Sequence, residues 1–253
     1  MDKAEEGGLR LYLDYSAVTD DTGTKGGALG HTIYINPEYV APNPGRFGAA
    51  VWLEALDANR LDEAEARGGG DVREVDYFLY YAQDVKPLDA TAEVGWIAAT
   101  FPQRHGDRAY THEWYVALGL NDAAWFRTKE NIFNPYLVYY MDVDDTRGGR
   151  IQFQISHTFL PARMGLARAP VWKNVAITPS FLMDVDLRGL TKHTKIASLR
   201  YGIEVFYDLS DIFKIPPKHG SIGVTVFLYF RDCLLGDPYE DRLFGGMTLS
   251  YRR

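Results

Sequence analysis

Apolar and polar side chains alternate with a period of two along about twelve segments between Leu9 and Tyr251, and such a pattern folds into strands with one apolar and one polar face. The clearest segment is Arg150–Phe159, where Ile151, Phe153, Ile155 and Phe159 alternate with Gln152, Gln154, Ser156 and Thr158. The first half of the chain repeats the pattern at Gly8–Val18, Gly30–Val40, Arg46–Asp57, Arg73–Asp84, Ala92–Pro102 and Tyr110–Asn121. The second half adds Ile132–Val143, Asn174–Leu187, Ile196–Leu209, Ser221–Asp232 and Arg242–Arg252. Strands of roughly 10–14 residues exceed the mode of about 5–6 for sheets in globular proteins. The pattern leaves almost no length of chain for helices.

No linker, low-complexity run or composition shift divides the 253 residues, so they read as a single β-barrel domain, with residues 1–8 a flexible N-terminal segment. A net charge of −7 and the absence of a Lys/Arg stripe argue against a nucleic-acid partner, which favours a basic face. Cys233 is the only cysteine, which excludes an internal disulfide and any cysteine-rich zinc site. No apolar run approaches the roughly 18 residues of a membrane helix. A closed barrel crosses lipid without one, because half of its residues are polar. Met1–Gly8 lacks the basic and apolar regions of a signal peptide. The sequence is expected to begin at the mature chain, with a leader already removed.

The width of the ring decides which way the faces point. In Ile196–Leu209, Ala197, Leu199, Tyr201, Ile203, Val205 and Tyr207 make one face, while Ser198, Arg200, Gly202, Glu204 and Asp208 make the other. About eight strands already fill a barrel interior with side chains. Twelve enclose too much space for an apolar core. Turning the apolar face outward into lipid and the polar face inward around water resolves the conflict. The expected fold is therefore all-β, a transmembrane antiparallel up-and-down β-barrel of about 12 strands, with 10 or 14 if one hairpin is miscounted. An even count places both termini at one end, with Thr19–Leu29 and Leu56–Gly70 as outer loops and Ala41–Gly45 as a tight inner turn. Pro161–Lys173 and Ser210–Gly220 fall at the inner end yet are long, which strains that count. Asp208–Ile215 reads as a short amphipathic helix stopped by Pro216-Pro217.

Parity also sorts the aromatic and charged residues. Tyr15, Tyr77, Tyr81, Trp114, Tyr139, Tyr207 and Tyr251 fall on the apolar face near strand ends, where interfacial girdles sit. Asp14, Glu54, Glu74, Asp76, Glu113, Asp142, Asp184, Asp186, Arg200, Glu204, Arg231 and Arg242 fall on the inner parity as candidate pore-lining residues. Carboxylates outnumber arginines in that set, so an open pore would prefer cations weakly. A hairpin through Arg188–Lys195 sets Asp184 near Arg200 as a cross-strand ion pair. Phe78, Tyr80, Tyr136, Tyr140, Phe206, Phe227, Tyr229 and Phe244 share the inner parity. That many rings narrow or plug a lumen.

Four stretches carry a family resemblance: Gly45-Arg-Phe-Gly-Ala-Ala-Val-Trp52, Glu74-Val-Asp76-Tyr77, Val94-Gly-Trp96 through Phe101-Pro102, and Glu113-Trp-Tyr-Val116. This order of a Gly-rich strand ending in Trp, a Glu-x-Asp strand, a Gly-containing strand closed by an aromatic-Pro pair and a Glu-x-Tyr strand resembles the TorF-like porins of Gram-negative bacteria. The likeness spans roughly Gly45–Leu120. Phe101 stands where the family pattern has tyrosine before proline, and Phe47 stands for another tyrosine. The resemblance implies an outer-membrane β-barrel acting as a channel, with no catalytic residues. Barrels of this kind end on an aromatic residue, whereas here Arg252 and Arg253 follow Tyr251 and read as a two-residue tail.

Catalytic and metal chemistry find little support. A barrel hydrolase needs a serine activated by histidine, but Ser156 and His157 are adjacent in a strand and face opposite sides. The stretch Asp142–Gly149 has a passing likeness to a calcium loop, without the twelfth-position glutamate; ordinary Asp/Gly turn chemistry explains it better. No cofactor motif occurs. The expected partners are membrane lipid and small polar solutes or ions, with an envelope protein docked on the long connections as the alternative.

Overall fold

The computed structural model describes residues 8–19, 29–41, 45–56, 72–102, 109–128, 130–144, 148–166, 170–187, 194–234 and 241–253. Strands β1 (Gly8–Thr19), β2 (Leu29–Val40), β3 (Gly45–Leu56), β4 (Val72–Val85), β5 (Ala90–Thr100) and β6 (Tyr110–Leu120) form the first half of a ring. Strands β7 (Tyr136–Asp142), β8 (Gly149–Ser156), β9 (Val175–Leu187), β10 (Thr194–Asp208), β11 (Ser221–Cys233) and β12 (Arg242–Arg252) form the second half. Each strand pairs antiparallel with its sequence neighbours, and β12 returns to β1 to close the barrel. The count of twelve and the up-and-down order agree with the periodicity. No helix among the described residues is long and apolar enough to cross a membrane.

The seam between β1 and β12 corrects one expectation. Arg252 and Arg253 are no tail: Arg253 and Leu11 exchange backbone hydrogen bonds of 2.9 and 2.7 Å. Opposite Tyr12, Arg252 holds both carboxylate oxygens of Asp14 at 2.6 and 2.8 Å. A bidentate guanidinium–carboxylate pair fixes geometry as well as charge, so the last residues lock the ring shut.

Curvature shows which face is inside. The Tyr80 hydroxyl on β4 lies 3.0 Å from the Asn36 amide on β2, reaching across β3. Side chains two strands apart meet only on the concave side of a curved sheet. Tyr80, Asn36 and the residues sharing their parity therefore face inward. Ile33, Ile35, Leu79, Val116, Ile203, Val205, Val226 and Leu228 have the opposite parity, face outward, and are all more than a third exposed. Meanwhile Asn36, Glu38, Asp184, Ser198 and Ser250 are buried on the inside. The outer face is apolar and bare, while the covered inner face holds these polar groups beside a smaller cluster of Ile97, Tyr115, Ala117 and Val138, the reverse of a water-soluble barrel's surface.

Expected and observed strands differ most at β7, which begins at Tyr136 rather than Ile132. Fully buried Asp122 accepts the backbone N–H groups of Ile132 and Phe133 at 2.8 and 2.6 Å, drawing the chain into a loop. Asn134 then adopts a left-handed φ of 42°. Helix α1 (Ala123–Phe126) is a single turn within this loop. The segment expected as a helix at Asp208–Ile215 is a turn, closed by Ser210 and Asp208 contacts and by a left-handed Lys214. Residues 1–7 and most of the first two outer loops lie outside the described residues.

Three connections at the end bearing the termini are long and latched together. Glu130 in the β6–β7 loop pairs with Arg163 in the β8–β9 loop, and Lys173 in the latter lies 2.9 Å from Asp211 in the β10–β11 loop. The Lys173 ammonium holds the Asp211 carboxyl below the usual carboxylate range, with Asn174 adding a second hydrogen bond. In turn Asp211 raises Lys173. The lowered group keeps its contribution above the ordinary carboxylate value and loses it as pH falls through the folded one; the raised ammonium loses its share only at high pH. The latch thus persists across neutral pH. Long inner-end connections are a property of this barrel, and the twelve-strand count does not suffer from them.

Candidate functional site

The inner wall is the candidate site, and one row of cross-strand partners organises half of it. Arg10, Glu38, Gly48, Tyr80, Gly95, Tyr115, Tyr140, Arg150 and Asp186 stand opposite one another in succession from β1 to β9. Glycine alternates with tyrosine here for a steric reason. A Cβ on Gly48 would fall within the Tyr80 ring, and one on Gly95 within the Tyr115 ring. Both rings therefore pack directly on the glycine of the neighbouring strand, and Tyr115 is buried there with Phe78, Tyr80 and Tyr140 packed about it.

Hydrogen bonds fix these rings. Tyr80 donates to Glu38 Oε2 at 3.1 Å, and the Asn36 amide donates to both Tyr80 and Tyr34 at 3.0 Å. Tyr115 donates to Glu93 Oε1 at 2.7 Å. Arg10 and Arg46 flank Glu38 at 3.9 and 3.8 Å. Farther along the row the Arg150 guanidinium stacks 4.6 Å from the Tyr140 centroid. The rings leave a niche of about 250 Å³ in the β2–β7 wall, lined by Tyr34, Asn36, Phe78, Tyr80, Glu93, Ile97, Tyr115, Tyr136 and Tyr140. Nearer the end bearing the termini a larger cavity of about 660 Å³ is bordered by Asp84, Thr91, Asn121, Asn131, Asn134 and Tyr136 among others.

The charged residues expected to line the interior sort by sign. Glu54 stands opposite Glu74, Asp76 follows on the same strand face, and Glu113 stands opposite Asp142. These carboxylates occupy β3, β4, β6 and β7. Across the ring, Arg200 stands opposite Arg231, and the backbone of Arg231 opposite that of Arg242, whose side chain lies outside the described residues. Tyr229, whose ring lies 5.3 Å from Arg200, donates a short hydrogen bond to Glu204. Asp14 is taken up by Arg252 at the seam. Asp186 stands opposite Arg150 and Lys195.

Asp184 and Arg200 are neighbours as expected, but diagonal ones, and Asp184 has a closer cation on β8. Past a bulge between Ile196 and Ser198, Asp184 faces Ser198 and Arg200 faces Leu182, two residues farther along. The Asp184 carboxylate lies 4.0 Å from Arg150 and 3.5 Å from the Gln152 amide on β8 instead. Residues the sequence reasoning passed over include Arg10, Asn36, Glu38, Arg46, Glu93, Arg150 and Arg252. Their parity matched the inner face throughout; Arg10, Glu38, Arg46, Arg150 and Arg252 sit near strand ends, where boundaries read from periodicity are least secure, while Asn36 and Glu93 lie inside β2 and β5.

Elsewhere, Ser156 and His157 serve the β8–β9 junction: His157 Nδ1 lies 2.7 Å from the Ile132 carbonyl, and its ring packs edge-on to Phe159. In the β7–β8 loop, Asp142 accepts the N–H of Asp144, and the Asp144 carboxylate bonds His112 Nδ1 at 2.5 Å. Residues 145–147 of that loop lie outside the described residues. Among the described residues no group of three or more His, Cys, Asp or Glu side chains is placed to hold a metal.

No protein-family model matches the chain, and no characterised protein matches it in sequence. Solved structures resemble it in outline. The KdgM porin aligns over 95% of this chain and 98% of its own, with 11% identity and a TM-score of 0.49. A NanC porin structure aligns over 96% and 98%, with 9% identity and a TM-score of 0.48. OccD1 (OprD) covers 98% of this chain and 96% of its own at 9% identity and a TM-score of 0.41.

Proposed function

We propose that this chain spans a bacterial outer membrane and acts as a porin-like passive channel for small polar solutes or ions. The observation that carries the reading is the inversion of the barrel's faces. Outward side chains such as Leu79, Val116, Val226 and Leu228 are bare, while charged and amide groups occupy the concave wall. A lipid annulus covers the first set and water solvates the second. The outer membrane is the membrane that holds such closed barrels.

On this reading Asp14, Glu54, Glu74, Asp76, Glu113, Asp142, Asp184, Asp186, Arg200, Glu204, Arg231 and Arg242 border the path of the solute, together with Arg10, Glu38, Glu93, Arg150 and Arg252. Carboxylates still outnumber cationic groups, so the channel favours cations weakly. Acidic groups on β3–β7 and arginines on β10–β12 set a field across the lumen. Planar-bilayer recording tests the proposal: discrete conductance steps with a reversal potential displaced toward cation selectivity are expected in a salt gradient. Purified, folded protein that inserts without conducting would sink the channel reading.

A second reading has its own observation. Trp125, Phe126, Phe133, Trp172, Ile212 and Phe213 are exposed on the three latched connections, and exposed apolar clusters mark interaction surfaces. On that reading the barrel is a non-conducting platform that docks an envelope protein at the end bearing its termini. Copurification of one stoichiometric partner, lost on replacing Ile212 and Phe213 with serine, separates it from the first.

A further inference from the structure

We propose that the tyrosine niche in the β2–β7 wall binds the head of a small quaternary ammonium compound. This deepens the channel reading and rests on the inward orientation of the same wall.

Tyr80 and Tyr115 form the floor. Each ring packs on a glycine, Gly48 or Gly95, which leaves room for the niche that both tyrosines border. Tyr34, Tyr136, Tyr140 and Phe78 complete the enclosure. The face of an aromatic ring carries the negative lobe of its quadrupole and attracts cations, most strongly where water is displaced. One ring here already does so, since the Arg150 guanidinium stacks on Tyr140 at 4.6 Å. Glu93 is the charged group bordering the niche, its carboxylate held in place by the Tyr115 hydroxyl at 2.7 Å. The nearby Glu38 is flanked by Arg10 and Arg46, and Arg46 also acts on Glu93.

The preponderance of rings over uncommitted hydrogen-bonding groups favours one class of cation. Asn36 spends its amide on Tyr34 and Tyr80, Tyr80 donates to Glu38, and Tyr115 donates to Glu93. A sugar or a primary ammonium would have to compete with these bonds. A quaternary ammonium has no N–H to satisfy and needs only ring faces and a carboxylate. At about 250 Å³ the niche suits one such head and not a drug-sized molecule.

Calorimetric titration of the full-length chain in a maltoside detergent, which carries no ammonium group, tests this with choline and its uncharged carbon isostere 3,3-dimethyl-1-butanol. Choline is expected to saturate one site, with the isostere at least about tenfold weaker. Glu93→Gln and Tyr136→Leu are each expected to weaken choline several-fold and leave the isostere unchanged; Tyr136 stands at the rim, so its variant spares the floor. Equal binding of the two compounds, no binding of either, or wild-type choline affinity in both variants would overturn the proposal. A barrel that conducts but binds no choline overturns this inference alone. One that binds choline but does not conduct supports it and overturns the channel.

Discussion

Val226→Arg is expected to destabilise the barrel in a lipid bilayer by about 2–4 kcal/mol, the cost of arginine at the middle of a lipid-facing strand. Val226 sits midway along β11, is 54% exposed, and faces outward beside Leu228. Neighbouring Thr225 has the opposite parity and stands opposite Phe206 and Thr248 on the inner wall. Thr225→Arg places the same charge against water and is expected to cost far less. The difference between the two variants, read as urea unfolding midpoints in vesicles, isolates the solvent on each face from the effect of arginine on strand propensity. In a water-soluble barrel the order would reverse, because Val226 would already be wet.

Gly95→Ala is expected to destabilise by about 1–3 kcal/mol, the ordinary range for forcing atoms into a filled site. The new methyl displaces the Tyr115 ring, which is buried to 7% exposure and bonded to Glu93. Both the packing and the hydrogen bond are then lost. Gly119→Ala is the control on the same wall: its nearest neighbour, Tyr136 Cδ2, would be 3.6 Å away, an ordinary contact. That variant should be neutral or slightly stabilising, since glycine within a strand is entropically costly. A matching loss in both would mean that Tyr115 does not rest on Gly95. The Gly95 variant should also lower choline affinity, because the displaced Tyr115 ring borders the niche.

The architecture was legible because a period of two survives every uncertainty about strand ends. Ile203 against Glu204, or Val226 against Thr225, announces two faces wherever the strand begins. What periodicity lacks is register. Asp184 stands opposite Ser198 and takes Arg150 on β8 as its nearest cation, with Arg200 only diagonal to it, and a register offset of two residues leaves no mark on composition. The niche was hidden for a related reason. Tyr80 and Tyr115 meet only because β3 to β6 align so that glycine falls under each ring, and that alignment follows from turn lengths and hydrogen bonding around the ring. Inner-face rings were recognisable as such; their arrangement as a cage against one wall was not. The long connections resisted reading because Asp122 organises residues ten and eleven positions away, beyond the span of any local turn rule.

The inversion of the two faces is tested most directly by a pair of adjacent cysteines. In a Cys233→Ser background, Thr225→Cys and Val226→Cys are reconstituted separately into lipid vesicles and exposed to a charged, membrane-impermeant thiol reagent and, separately, to a lipid-chain quencher of an attached fluorophore. The thiol at 225 should react with the aqueous reagent through the lumen and escape quenching, while that at 226 should be silent to the reagent and strongly quenched. Reaction at 226 with quenching at 225, or aqueous reaction at both, would contradict an inside-out barrel around water.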